Sequence, residues 1–326
     1  MTQNMLPKNP KWDLTILLTA LFLYSCSGKN NHSLLPEGYE SQRVLSIENG
    51  NLNAVFVDNS ELSPLHKAGY NGIARLNHSE EDSVLFVPDY AGFNLEHIFG
   101  GDSLQQLFEP RLHPMTLFRK TEDEVLLYQE PTPISHVESL TSFKLVKPHY
   151  IDITFQCIVH DEEFFQHGYA GFFWASYIQN PVDKKIYFKG VVEKDTANNA
   201  WISAWSEEHG VNSTHRSIKD NHEFFFAPNF NAKLASHFSQ YRYSQPYYFG
   251  RFGKMVLAYF FDAKEIIRFS QSPTGGGEFN PAWDFQYIIP SPETGKKYSL
   301  KVRMVYKPYI SGEDISDEFE KWKKKN

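Results

Sequence analysis

Short alternating runs, cut apart by turn residues, constrain this 326-residue chain more than any other feature. Before residue 310 no segment keeps a 3.6-residue apolar period over three turns, which excludes long amphipathic helices from most of its length. Val44–Gly50 runs into Asn51–Val57 through Asn49-Gly50, a turn dipeptide that tolerates positive φ, and so predicts a hairpin. Further strand candidates are Val84–Val87, Met115–Arg119, Val125–Gln129, Ser139–Val146, Tyr150–Val159, Gly171–Ile178, Lys185–Val192 and His222–Ala227. Lys254–Phe261, Ile266–Gln271, Trp283–Ile289 and Tyr298–Tyr306 complete the set. Pro, Gly, Asn and Asp separate these runs. Many short strands with such punctuation predict an all-β chain, a large antiparallel β-sandwich. The 27 Phe and 18 Tyr suit strands, and their faces also suit the C–H faces of sugar rings.

The C-terminus breaks the pattern. Ser311–Lys325 carries acids first and lysines last, matching a helix dipole. Ile315, Phe319 and Trp322 fall on one helical face, and Ser311 with Asp314 has the spacing of a cap. A short helix packed on the sandwich is expected, its basic end in solvent or against anionic lipid.

The N-terminus bears on compartment. Lys8 and Lys11 precede the apolar run Leu14–Ser25, which has signal-peptide length and is too short to span ~30 Å of hydrocarbon. Leu23-Tyr-Ser-Cys26 resembles a bacterial lipobox with a bulky Tyr24, and Ser27–Ser33 reads as a polar tether. The expectation is a signal peptide over 1–25, lipidation at Cys26, a tether over 26–38 and one domain over 39–326. The protein would then sit in the cell envelope, periplasmic or outer-membrane-associated, held by lipid without spanning. The competing reading is an ordinary signal peptide with an incidental cysteine. With Cys26 acylated, Cys157 is the one remaining thiol, so no internal disulfide forms; its alternating surroundings make it a buried strand residue. Losing residues 1–25 removes Lys8, Lys11 and Asp13 and takes the net charge from −7 to −8, which offers no footprint for nucleic acid.

Five stretches hold the polar and aromatic groups that chemistry needs. Val87–Gly101 places Asn94, Glu96 and His97 in a turn-rich segment, where they bind ligand or close a loop. Glu109–His113 and Glu130–Glu138 bring Arg111, His113, His136 and Glu138 beside prolines; a His facing a carboxylate is an acid–base pair. Phe164–Pro181 is too apolar for a solvated strand, yet Trp174 and Tyr177 are candidate stacking groups. Trp201–Arg216 lacks either period and carries His209, His215 and Arg216; irregular segments of this length are often functional. The spacing of His209, His215 and His222 matches no helical metal pair, so no metal and no cofactor is expected. Finally, Tyr247, Tyr248 and Arg251 precede Ser272–Phe285, which contains Gly275-Gly276-Gly277, Trp283 and Asp284. No Lys-Ser/Thr follows the glycines, so this is a strand connection and not a phosphate loop.

Gly168–Ile178, Asn94–His97, Gln271–Gly277 and Asn280–Phe285 together resemble an uncharacterised family of exported lipoproteins common in Bacteroidetes and Planctomycetes, which brings no established activity. Asn49–Val57, the Asn94 turns and the many strands are similar, more weakly, to galactose-mutarotase-like supersandwiches. That resemblance implies a carbohydrate ligand and, in epimerases, a His acid paired with a carboxylate base.

The combined expectation is a lipid-anchored supersandwich that acts on or binds carbohydrate, as a glycosidase, lyase or epimerase if it is an enzyme. His209 or His215 would be the acid and Glu138 or Asp284 the carboxylate. Trp174, Tyr177, Tyr247, Tyr248 and Trp283 would stack on sugar; Asn94, His97, Arg111, His136, Arg216 and Arg251 would bind it. A non-catalytic glycan-binding or structural envelope lipoprotein is the alternative. Oligomeric state is not fixed by these residues.

Overall fold

The computed structural model describes residues 33–102, 107–226 and 233–325. The strands are β1 (Ser41–Gln42), β2 (Val44–Asn49), β3 (Leu52–Val57), β4 (Gly72–His78), β5 (Asn94–Phe99) and β6 (Met115–Arg119). Then come β7 (Glu124–Gln129), β8 (Val137–Val146), β9 (Tyr150–Val159), β10 (Tyr169–Ala175), β11 (Ile186–Val192) and β12 (Asp195–Ala204). The last are β13 (Thr214–Ser217), β14 (Phe238–Tyr243), β15 (Tyr247–Phe252), β16 (Met255–Phe261), β17 (Ile266–Ser272), β18 (Ala282–Pro290) and β19 (Lys297–Pro308). Helices α1 (Glu109–Leu112), α2 (Lys233–Ser236) and α3 (Gly312–Lys323) are short.

The expected hairpin is β2–β3. Asn49 pairs with Leu52, and Gly50 takes φ +65° at the turn. With β4 they make a three-stranded sheet. The other strands form one sheet in the order β1-β6-β7-β8-β9-β19-β16-β15-β11-β14-β13-β17-β18-β10-β5, with β12 added on β11. Every pairing is antiparallel except β13 with β14. This sheet curls back on itself. Phe155 of β9 and Trp174 of β10 lie far apart in the strand order, yet their rings meet edge to face at 4.8 Å. One core therefore sits between two layers, which is a sandwich, and Phe56 of β3 closes on Phe143 of β8 at 5.2 Å.

Two covers lie outside these layers. α3 is capped as its sequence implies, with Asp314 N donating to Ser311 Oγ at 3.1 Å. It buries Ile315, Phe319 and Trp322 on the outer face of β15, β16 and β19. On the outer face of β5, β10 and β18, Phe224, Phe226, Leu234 and Ala235 pack against Tyr169, Phe173 and Ile288. Both faces of β10 are thus covered, which explains why Tyr169–Ala175 is buried throughout and reads as continuously apolar.

Several expectations change. Asn94–Phe99, read as a turn-rich loop, is a wholly buried strand. Val84–Val87 makes only an isolated bridge through Phe86, and residues 222–226 form no strand. Cys26 and the proposed signal segment lie outside the described residues. The tether expected over 26–38 is already docked at its described start: Ser33 Oγ and Leu34 N both donate to Glu138, and Leu34 is buried. Among the described residues no helix is long and apolar enough to cross a membrane.

Candidate functional site

Strand register builds the site. Ala175 of β10 pairs with Asn94 of β5, and Trp174 pairs with Phe285 of β18, which brings Ala175 level with Asp284. Trp283 and Phe285 enter the main core, so alternation turns Asp284 to the outer face, where Ala175 and Tyr177 lie. Asn94 and Asp284 therefore flank the small Ala175, two strand spacings or about 10 Å apart at the backbone. A register shift between Phe173 and Trp174 leaves Glu96 unpaired on β5, as an irregularity of this kind does when it re-aims a side chain.

Glu96 is the hub. Arg111 Nη1 of α1 donates to its Oε1 at 2.9 Å, and Tyr177 Oη donates to its Oε2 at 2.7 Å. The Arg111 guanidinium stacks 3.9 Å over the Tyr70 ring. Tyr70, Tyr90 and Tyr177 contact one another with centroids 4.9 to 5.8 Å apart, forming an aromatic wall whose half-buried members are Tyr70 and Tyr90. Lys67 Nζ donates to Tyr90 Oη at its edge. α1 is held in turn by Glu109, whose carboxylate accepts from Ile134 N and Ser135 N. Asn71 secures Asn94 by donating to its Oδ1 from both the backbone N and Nδ2.

Three buried polar atoms here have no partner among the described residues: Asn94 Nδ2, Arg111 Nε and Asp284 Oδ2. Asp284 is 1% exposed and accepts only from Ser176 N, at 3.1 Å. Burial, reinforced by the Glu96 charge, pushes its carboxyl well above the usual range despite that hydrogen bond, which favours the protonated form. Burial and then Glu96 raise the Tyr177 hydroxyl in the same way, which keeps it a donor. The site thus holds two carboxyl groups in different environments: one buried with an oxygen unpartnered, one ion-paired.

The triple glycine belongs here. A methyl at Gly275 would stand 3.0 Å from the Tyr177 ring, and one at Gly276 3.2 Å from Tyr177 Cβ. The loop's bare backbone therefore lies on that tyrosine. His209 joins the same rim: it is exposed, and its Nδ1 is 3.0 Å from Ser272 Oγ, where the glycine loop begins.

Of the residues singled out in the sequence, Asn94, Arg111, Tyr177, Asp284 and the rim residue His209 come together. His97 is beside them but buried against Phe108 and Phe173, with Nδ1 2.9 Å from Leu107 O; burial lowers its pKa. The rest go elsewhere. His215 is 1% exposed between Phe188 and Ser239, and burial drives its pKa to about 3, so the imidazolium that a general acid needs is absent near neutrality. Glu138 is used up by Ser33, Leu34, Tyr128 and His160. Trp174, Trp283, Tyr247 and Tyr248 are each at most 1% exposed and cannot stack on a ligand: Trp174 lies on Phe285, Trp283 against Gly250, Tyr247 under α3 and Tyr248 on Phe269. Arg216 pairs with Glu193 beside Arg242, Arg251 lies over Tyr309, and His136 sits in a turn at φ +52°. Glu96, singled out as a ligand-binding or loop-closing group, is instead the centre of the site, and Tyr70, Tyr90 and Asn71 were not anticipated. A carboxylate inside the apolar run Leu95–Phe99 was the available signal for Glu96. Among the described residues no cluster of His, Cys, Asp and Glu is arranged for a metal.

No protein-family model matches the chain, and no curated protein matches it in sequence. Solved structures with a related outline include a galactose mutarotase related enzyme from Lactobacillus acidophilus, with 12% identity and TM-score 0.46 over 82% of this chain and 100% of that one. An aldose epimerase homologue from C. elegans gives 8% identity and TM-score 0.47 over 83% and 100%. Heparan sulfate lyase from Pedobacter heparinus gives 8% and 0.39 over 83% of this chain and 37% of that one. Scores this low transfer no residue role.

Proposed function

We propose that the site around Glu96, entered past the half-buried Tyr70 and Tyr90 and the exposed rim residue His209, binds carbohydrate and works on it by acid–base chemistry, with Asp284 as acid and Glu96 as base. One observation carries this reading: unpartnered polar atoms of Asn94, Arg111 and Asp284 gather around a two-carboxyl centre beside a tyrosine wall. A sugar offers what such a place lacks, namely hydroxyls for the orphaned donors and acceptor and C–H faces for Tyr70 and Tyr90. The proton-bearing Asp284 would protonate a sugar oxygen, and the Glu96 carboxylate would take a proton. The reading stands on this chain's own side chains and not on the structural likenesses.

A second reading, binding without turnover, is favoured by one detail: Arg111 and Tyr177 already engage both oxygens of Glu96. A thermal-shift screen across plant and algal polysaccharides, followed by turnover assays of Glu96→Gln and Asp284→Asn on the glycans that bind, decides. Turnover lost in both with binding retained supports catalysis; binding without turnover in the wild type supports the second reading. Full turnover in either variant overturns the acid–base assignment.

The Leu23–Cys26 stretch further suggests export and lipid anchoring in the cell envelope. This proposal rests on the sequence alone.

A further inference from the structure

We propose that a crevice at the C-terminal end of α3 binds a monomeric, single-chain anionic amphiphile, of which a fatty carboxylate is the simplest. Where the last turn of α3 meets the turn after β16, a cavity of about 240 Å³ remains. Its wall is Phe319 and Trp322, with Phe261 at the strand end turning its ring away into the inner core, and Lys264, Lys301, Lys323 and Asp262 complete the lining. Phe319 and Trp322 are at most 5% exposed, so the floor is mostly aromatic carbon that water solvates poorly. An engineered apolar cavity of ~150 Å³ holds benzene, and by that measure this one takes one short alkyl chain but not two.

The lysines supply the second half of the argument. Lys264 and Lys301 are exposed, and among the described residues neither forms an ion pair with a carboxylate. Lys323 has Glu320 at 3.5 Å, with both side chains about half exposed, a contact that water screens. Asp262 accepts from Lys264 N and so spends part of its charge closing its own turn. With Glu320 counted against Lys323, three cations face two anions, one of which closes its own turn, and the excess favours a negative head group. An inorganic anion would use only the lysines, and a neutral hydrocarbon only the wall. A sugar would set most of its hydroxyls against the aromatic carbon of the wall, at a desolvation cost. An alkyl chain ending in a carboxylate uses both halves. The crevice lies under α3, on different strands from Glu96 and Asp284, and the inference is independent of the carbohydrate reading.

The test uses the full-length protein and laurate brominated on its chain, because bromine quenches an indole that it touches and Trp322 lines the crevice. The expected result is saturable quenching below the critical micelle concentration. It should vanish in Trp322→Phe and in Ala263→Phe, where a ring at the exposed Ala263 fills the mouth. Affinity should fall about tenfold in the Lys264→Glu, Lys301→Glu double variant, a change set by two exposed charges. Melting temperatures of all variants report whether they fold. Non-saturating quenching, equal quenching in folded Trp322→Phe, or equal affinity for the brominated trimethylammonium analogue would each overturn the proposal.

Discussion

Asp284→Asn tests the chemistry of the site through stability, without a substrate. The side chain is 1% exposed; Oδ1 accepts from Ser176 N, and Oδ2 has no partner. Asparagine keeps the acceptor and the shape and removes the ionisation. Burial, then Glu96, raise the folded-state pKa above the unfolded value of ~3.9. The folded chain therefore holds a proton that the unfolded chain has released. That contribution is fully present below the unfolded pKa and is lost as pH rises toward the folded one. The loss runs at about 1.4 kcal/mol per pH unit for one proton. The amide of the variant has no such proton to release, so the stability of Asp284→Asn relative to wild type should climb by that slope from about pH 5 upward and level off beyond the folded pKa. Denaturant unfolding at a series of pH values measures the difference directly. A difference independent of pH would show that Asp284 ionises normally in the fold, one that falls with rising pH that it ionises more readily than normal, and in either case the assignment of an acid here would fail.

Other perturbations probe the frame around the site. Gly250→Ala drives a Cβ into ring atoms of the fully buried Trp283, so it should lower the melting temperature through overpacking worth about 1–3 kcal/mol. Glu138→Gln should free the Ser33–Leu34 segment, read as faster proteolysis there with glycan binding unchanged. Burial pushes the Glu138 carboxyl up, but His160, Leu34 N, Tyr128 and Ser33 pull it below its ordinary value. Its stabilising contribution is therefore present above the unfolded pKa and lost as pH falls through the folded one, below about pH 4. Cys26→Ala should release the protein from the membrane fraction and abolish a lipid mass increment; an unchanged distribution would count against the anchor.

Where a segment's environment follows from its own pattern, the chain could be read directly. Met115–Arg119 and Tyr150–Val159 keep the bounds their alternation predicts, because one face meets the core and the other stays wetter. The hairpin at Asn49-Gly50 and the cap at Ser311 are local as well, each specified by a dipeptide or a three-residue spacing. The failures cluster where a strand is covered on both sides. Asn94–Phe99 has no alternation to show, since β10 flanks it and a second layer lies over its outer face. Trp174 and Trp283 look like stacking groups in the sequence, yet they face inward.

Local pattern alone was enough to establish that the chain is all-β, where its first hairpin turns, how its last helix begins and that the triple glycine joins two strands. Contacts between distant segments settled which faces are buried twice and which carboxylates matter. Glu138 and Asp284 are equally plain in sequence; one is spent anchoring Ser33 and Leu34, while the other lies beside Glu96 with an oxygen unpartnered. Those contacts also gave the glycine loop its work: bare backbone lies against Tyr177 there, at distances that a Cβ would tighten. A period-two pattern records alternation along one strand and nothing more. The meeting of Asn94, Ala175 and Asp284 depends on register across three strands, and their separation in sequence carries no trace of it.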